Sequence, residues 1–150
     1  PVNAKEIVNE YYNYYSTNNT SGGCLAAIKT SELENVAVQA SIIFDKYRNN
    51  IPSLDLTKIQ RYFRGNKHWF YDLGDFMKNL APAEYSDFKT ALDKAIIHKA
   101  TTKKFIDINI DPLKFSGLSV YIPLANPDVK LVEHYKKFKW NTDSRYFISE

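Results

Sequence analysis

Few residues in this chain can do covalent chemistry. Cys24 is the only thiol among 150 residues, which excludes an internal disulfide and a multi-thiolate zinc site. A cysteine nucleophile needs a base such as histidine within hydrogen-bond reach and surroundings that lower its pKa. Cys24 instead opens the apolar stretch Cys24-Leu25-Ala26-Ala27-Ile28, where a free thiol behaves as a small buried hydrophobe. His68, His98 and His134 are remote from it in sequence and lack the spacing of metal ligands. His98 is expected near a helix end, where the dipole favours a positive group, and His68 in a polar loop before Trp69. Asp72 and Asp75 form a carboxylate pair, but their spacing is that of a helix cap and a first-turn residue. Gly22-Gly23 lacks the lysine and the further glycine of a phosphate loop. No catalytic, cofactor-binding or metal-ligating residue is therefore assigned, and no cofactor is expected.

Charge and composition narrow the partners. Lys+Arg 20 against Asp+Glu 17 leaves a formal charge of +3, too mild for a dedicated polyanion binder. Lys136, Lys137, Lys139 and Trp140, with Lys103 and Lys104, could form a basic patch with an aromatic for stacking, but Glu133 and Asp143 dilute it. A solvated helix face is the expected role, and nucleic acid is not an expected partner. No apolar run approaches the roughly 20 residues that span a bilayer, so no membrane partner is expected either. A hydrophobic fraction of 44% with aromatics at 15% is ample for one packed domain.

The elements that must position these residues follow from periodicity. Ile7, Val8, Tyr11, Tyr12 and Tyr15 line a helix over 4–16, whose tyrosines on several faces suggest burial between layers. The run 24–28 reads as a short buried strand. Ser31 and Glu34 have capping-box spacing before a helix carrying Leu33, Val36, Ala37, Ala40, Ile43, Phe44 and Tyr47. Asp55 can cap a shorter helix through Leu56, Ile59, Tyr62 and Phe63, ended by Gly65. Asp72 caps another with Leu73, Phe76, Met77 and Leu80 inside, and Pro82 suits the first turn of a helix running to Ile96. The period then becomes two, giving strands at 106–110 and 118–122, between which Asp111-Pro112 and Gly117 allow either an antiparallel hairpin or a looser turn. A last helix starts near Asn126-Pro127 and buries Val129, Val132, Tyr135 and Phe138. The fold class is helix-dominated α+β, with five or six helices, a strand near 24–29 and a strand pair near 105–123. A lone strand and a hairpin separated by four helices make a poor independent sheet.

Phe115-Ser116-Gly117-Leu118-Ser119-Val120-Tyr121-Ile122-Pro123 resembles a late strand of clostripain-like cysteine peptidases, a bacterial family on the caspase/gingipain-like fold. The early helix with Tyr14-Tyr15, the stretch from Cys24 to Tyr47, Tyr71-Asp72-Leu73-Gly74-Asp75-Phe76, and Tyr135 to Trp140 with Asp143-Ser144 agree in order. The resemblance implies that residues 1–150 are the non-catalytic C-terminal domain of an endopeptidase that cleaves after Arg or Lys. The family's His/Cys dyad would lie before this region, and Gly-Gly-Cys24-Leu does not match its Asp-Ala-Cys nucleophile. The implied partners are the catalytic domain of the same protein, as a missing N-terminal portion, and the parent's peptide substrate. The strands would complete that domain's sheet, the parent would be exported, and this chain alone would be inactive. A rival reading is a free-standing module whose exposed aromatics bind a peptide or glycan.

Overall fold

The computed structural model describes residues 3–17, 21–65, 70–122 and 127–147. The expectations for His68, Trp69, Pro123 and Asn126 lie outside the described residues.

Helix α1 (Ala4–Thr17) forms as expected, but it is not sandwiched. Val8 is its one buried residue, Tyr11 and Tyr15 are half-buried, and Tyr12 and Tyr14 face solvent. Strand β1 (Cys24–Ile28) follows, and then helix α2 (Leu33–Tyr47) forms the spine of the main core. The expected capping box does not form: Ser31 sits inside a 3-10 turn over Thr30–Glu32, and neither side chain caps the helix. Apolar periodicity alone carries α2, through buried Val36, Ala37, Ala40, Ile43 and Phe44.

The helix expected after Asp55 is corrected to one 3-10 turn, Leu56–Lys58, with the Asp55 carboxylate accepting from Thr57 N–H. The backbone beyond it bonds outward. Gln60 N–H reaches the Asp75 carboxylate, Gln60 C=O accepts from Asp72 N–H, and Tyr62 N–H donates to Phe70 C=O. These bonds draw the segment alongside β2 (Tyr71–Asp72) and outweigh its helical pattern.

Helix α3 (Leu73–Leu80) starts where Asp72 caps it, its carboxylate accepting from Asp75 N–H at 2.9 Å. Pro82 stands in the turn before α4 (Tyr85–Ala95) and not in its first turn. The helical reading to Ile96 is also corrected: Ile96 already has extended backbone and opens strand β3 (Ile96–Thr101). His98 therefore lies on a strand. Two adjacent β-branched residues favour that change, and β1 supplies the pairing. β1 and β3 pair antiparallel, with Cys24 opposite Thr101 and Ala27 opposite His98, so β1 is not a lone strand.

The expected strand over 106–110 is broken by a tight turn. Strands β4 (Lys104–Phe105) and β5 (Ile108–Asn109) form a small hairpin in which Ile106 takes a left-handed conformation at φ 55°. Strand β6 (Ser119–Val120) pairs with β2, opposite Tyr71 and Asp72, and not with the 106–110 region. The chain closes with α5 (Val129–Tyr135), capped by Asp128, and α6 (Lys139–Ser144). Val129 and Phe138, expected inside, are 72% and 53% exposed.

The main core joins α2, α3, α4 and the chain end. Phe44 stacks on Tyr146 at 4.4 Å between ring centroids, and Phe76 closes the group. Ile108, Ile110 and Phe115 form a smaller cluster, with Cys24, Tyr62 and Phe105 packed against it.

Candidate functional site

Cys24 stands at the start of β1, half-buried against the smaller cluster of Ile108, Ile110 and Phe115, as Tyr62 and Phe105 are. Burial pushes its thiol above the ordinary range, the opposite of what a nucleophile requires. Among the described residues no histidine bonds to it. The His98 ring is hydrogen-bonded to Asn9 of α1 at 2.7 Å, and His134 meets the edge of Phe138. No group of three His, Cys, Asp or Glu side chains that could hold a metal occurs among the described residues. Lys136 and Lys139 of the basic tract pair with Glu133 and Asp143, as a solvated helix face would.

The polar chemistry is concentrated at the start of α3. Asp72 is fully buried, and its carboxylate accepts from Tyr62 O–H at 2.7 Å, Ser116 N–H at 2.7 Å and Asp75 N–H at 2.9 Å. Asp75 accepts from Gln60 N–H at 2.8 Å and lies 3.4 Å from the Lys114 ammonium. The Gln60 side chain bonds Asn109 C=O and Asp111 N–H, and Ser116 Oγ accepts from Gly74 N–H. These contacts tie the 55–65 loop, α3, the β4–β5 hairpin and the 111–118 segment into one knot. Burial is the largest influence on Asp72 and raises its pKa, against the lowering effect of its hydrogen-bond donors. Burial and the nearby Asp72 charge likewise push the Tyr62 phenol far above its usual range.

Sequence spacing identifies Asp72 and Asp75 as cap and first-turn residue, and the structure brings them together in that role. It does not reveal Gln60, Tyr62 or Ser116, whose partners are 10 to 51 positions away. The signal available was Gly74, inside the first turn of α3. An ideal Cβ on Gly74 would lie 2.6 Å from Ser116 Cβ, so a small residue faces a hydrogen-bonding one where α3 meets this segment.

Beside the knot an apolar groove of about 540 Å³ runs between the start of α2, strand β6 and α5–α6. Leu33, Leu118, Tyr121, Tyr135 and Trp140 line it, and Phe70 and Phe138 stand exposed at its rim. The structure thus presents a braced polar interior and an uncovered aromatic face.

No protein-family description and no curated protein matches the chain. Solved structures do match. An inactive zymogen of a C11 protease from Parabacteroides distasonis is 30% identical, with a TM-score of 0.78 over 93% of this chain and 42% of that one. A cysteine protease from B. fragilis is 26% identical, with a TM-score of 0.82 over 93% of this chain and 64% of that one. A secreted C11 cysteine protease from Bacteroides thetaiotaomicron shares the fold at 23% identity, with a TM-score of 0.73 over 95% of this chain and 41% of that one. The architecture is therefore that of an α+β caspase-like protease. Within that class, this chain resembles a part of the clostripain-like C11 cysteine proteases, over 93–95% of its own length. It spans 41–64% of the length of these solved proteins.

Proposed function

We propose that this chain is the non-catalytic C-terminal domain of a bacterial clostripain-like cysteine endopeptidase that cleaves after Arg or Lys, and that it braces the catalytic domain and its substrate cleft. The observation that carries this reading is the partial match: nearly the whole chain superposes on a share of larger cysteine proteases, while half-buried Cys24 bonds to no histidine among the described residues. The partner is the catalytic portion of the same protein, and the parent's substrate is a peptide. Export is part of the proposal, supported by the secreted relative, and no described helix is long and apolar enough to cross a membrane.

The test uses Arg- and Lys-containing fluorogenic peptides. The 150-residue chain should give no turnover, and Cys24→Ala should change nothing. Turnover that disappears in Cys24→Ala would overturn the reading. The gene sequence upstream of Pro1 provides a second check, since a His-containing loop followed by Asp-Ala-Cys is expected there.

A further inference from the structure

A second concavity, of about 690 Å³, lies on the other side of the knot between α3, α4, strand β3 and the 111–116 segment. Lys58, Lys78, Lys89, Lys99 and Lys114 line it against Asp75, Asp93 and Asp111, a surplus of two positive charges. The aspartates are already engaged. Asp75 accepts from Gln60 N–H and faces Lys114, Asp93 pairs with Lys89, and Asp111 accepts from Leu113 N–H at 2.9 Å.

Two of the cations are not matched in this way. Among the described residues, Lys78 has no carboxylate within ion-pair distance. Among the described residues, Lys99 donates only to Phe115 C=O, and it sits 5.7 Å from the Phe115 ring centre. Partial burial pulls the Lys99 ammonium below the ordinary lysine range, although Asp72 and Asp93 act in the other direction. Each ammonium keeps donors free for an incoming acceptor.

At the rim stands Leu113, 96% exposed. It is not loosely held: its N–H bonds the Asp111 carboxylate, and Lys114 and Phe115 N–H both bond Asp111 C=O at 3.0 Å. The Lys114 ammonium further bonds Lys58 C=O. A rigid turn that presents a bare leucine beside a lysine-lined cleft with Pro82, Tyr85 and Leu92 in its wall has the makings of a recognition surface.

From this juxtaposition we infer that the cleft binds an acidic peptide segment, with carboxylates on Lys78 and Lys99 and an apolar side chain against Leu113 and Tyr85. Low-dielectric walls focus the field of the unmatched lysines, and charge-assisted hydrogen bonds add orientation. The site is independent of the protease reading above.

The experiment titrates the chain with an end-blocked peptide of alternating Glu and Leu, followed by NMR shifts of the 111–116 amides and by calorimetry. The Gln/Leu counterpart and inorganic phosphate serve as parallel probes. Saturable binding of the Glu peptide is expected, weakening roughly tenfold on raising salt from low to physiological strength and beyond. Lys78→Glu, which lies on an exposed helix face, should weaken it about tenfold, and Leu113→Asp comparably. Lys99→Met should do the same while the amide spectrum stays that of the folded chain, whereas Lys130→Met on α5 should have no effect. Equal binding of the Gln peptide, binding of phosphate alone, no saturation, or full affinity in Lys78→Glu would each overturn the inference.

Discussion

At the level of single residues, Asp72 is the side chain on which most depends. Replacing it with alanine strips the acceptor from Tyr62 O–H, Ser116 N–H and Asp75 N–H, and unmet buried donors are costly. Asp72→Ala should lose about 3 kcal/mol in urea unfolding, and Tyr62→Phe about 1–2 kcal/mol, because only one of the carboxylate's bonds goes. Asp72 also gives stability a pH dependence opposite to that of a paired surface carboxylate. Its folded-state pKa is raised, mainly by burial, above the ordinary Asp value of about 3.9. The folded chain therefore takes up the proton before the unfolded chain does. The Asp72 contribution should rise as pH falls through the folded pKa towards that ordinary value, and be lost as pH climbs back above the folded pKa. Comparing unfolding of the native chain and Asp72→Asn over this range isolates the slope; equal pH profiles would contradict it.

The elements show where sequence reasoning succeeds and where it stops. Helix α2 was legible because Leu33, Val36, Ala40, Ile43, Phe44 and Tyr47 repeat the helical period over its fifteen residues, so burial dictated it even though its expected cap failed. The Asp72 cap was legible because capping is local. The 59–63 segment has a comparable apolar spacing, yet its backbone partners are Asp75, Phe70 and Asp72, which no local pattern contains. For the same reason the pairings of β1 with β3 and of β2 with β6 were not legible: each joins residues more than 45 positions apart. That Cys24 would be at least partly buried could be read from its apolar neighbours, whereas the lysine cleft is assembled from five separate stretches of chain. Gly74 provides a test of element packing. In an exposed helix Gly→Ala stabilises by up to about 1 kcal/mol, but here the new methyl would meet Ser116 Cβ at 2.6 Å and Leu92 Cδ2 at 3.2 Å. Gly74→Ala should instead destabilise by about 1–3 kcal/mol, measured by chemical denaturation. A stabilised variant would mean that the 116–118 segment yields easily.

For the molecule as a whole, the main question is how the three two-stranded sheets among the described residues persist beside one helical core. A two-stranded ribbon is marginal in water. β1–β3 is supported by α1 and by Gly117, whose ideal Cβ would lie 3.0 Å from Ala26 Cβ. The register also gives β1 an edge that no strand covers among the described residues. Thr102 N–H bonds Gly23 C=O and Lys29 N–H bonds Ala95 C=O, so by antiparallel alternation Leu25 and Ala27 bond inward to β3. The amides of Cys24, Ala26 and Ile28 then point away from β3, along a strand with no charge or proline to blunt its edge. Hydrogen exchange should find Leu25 and Ala27 slow in the 150-residue chain and Cys24, Ala26 and Ile28 fast. In a longer polypeptide that includes a catalytic portion, the three fast amides should become protected if the chain extends that portion's sheet through β1. Ala26→Pro removes only an outward donor, so it should leave the melting curve of the short chain within about 1 kcal/mol yet abolish the added protection. Protection of all five amides in the short chain would show that β1 has no open edge. Fast exchange of the outward amides in both forms would place any contact with the catalytic portion on another face, such as the groove rimmed by Phe70 and Phe138.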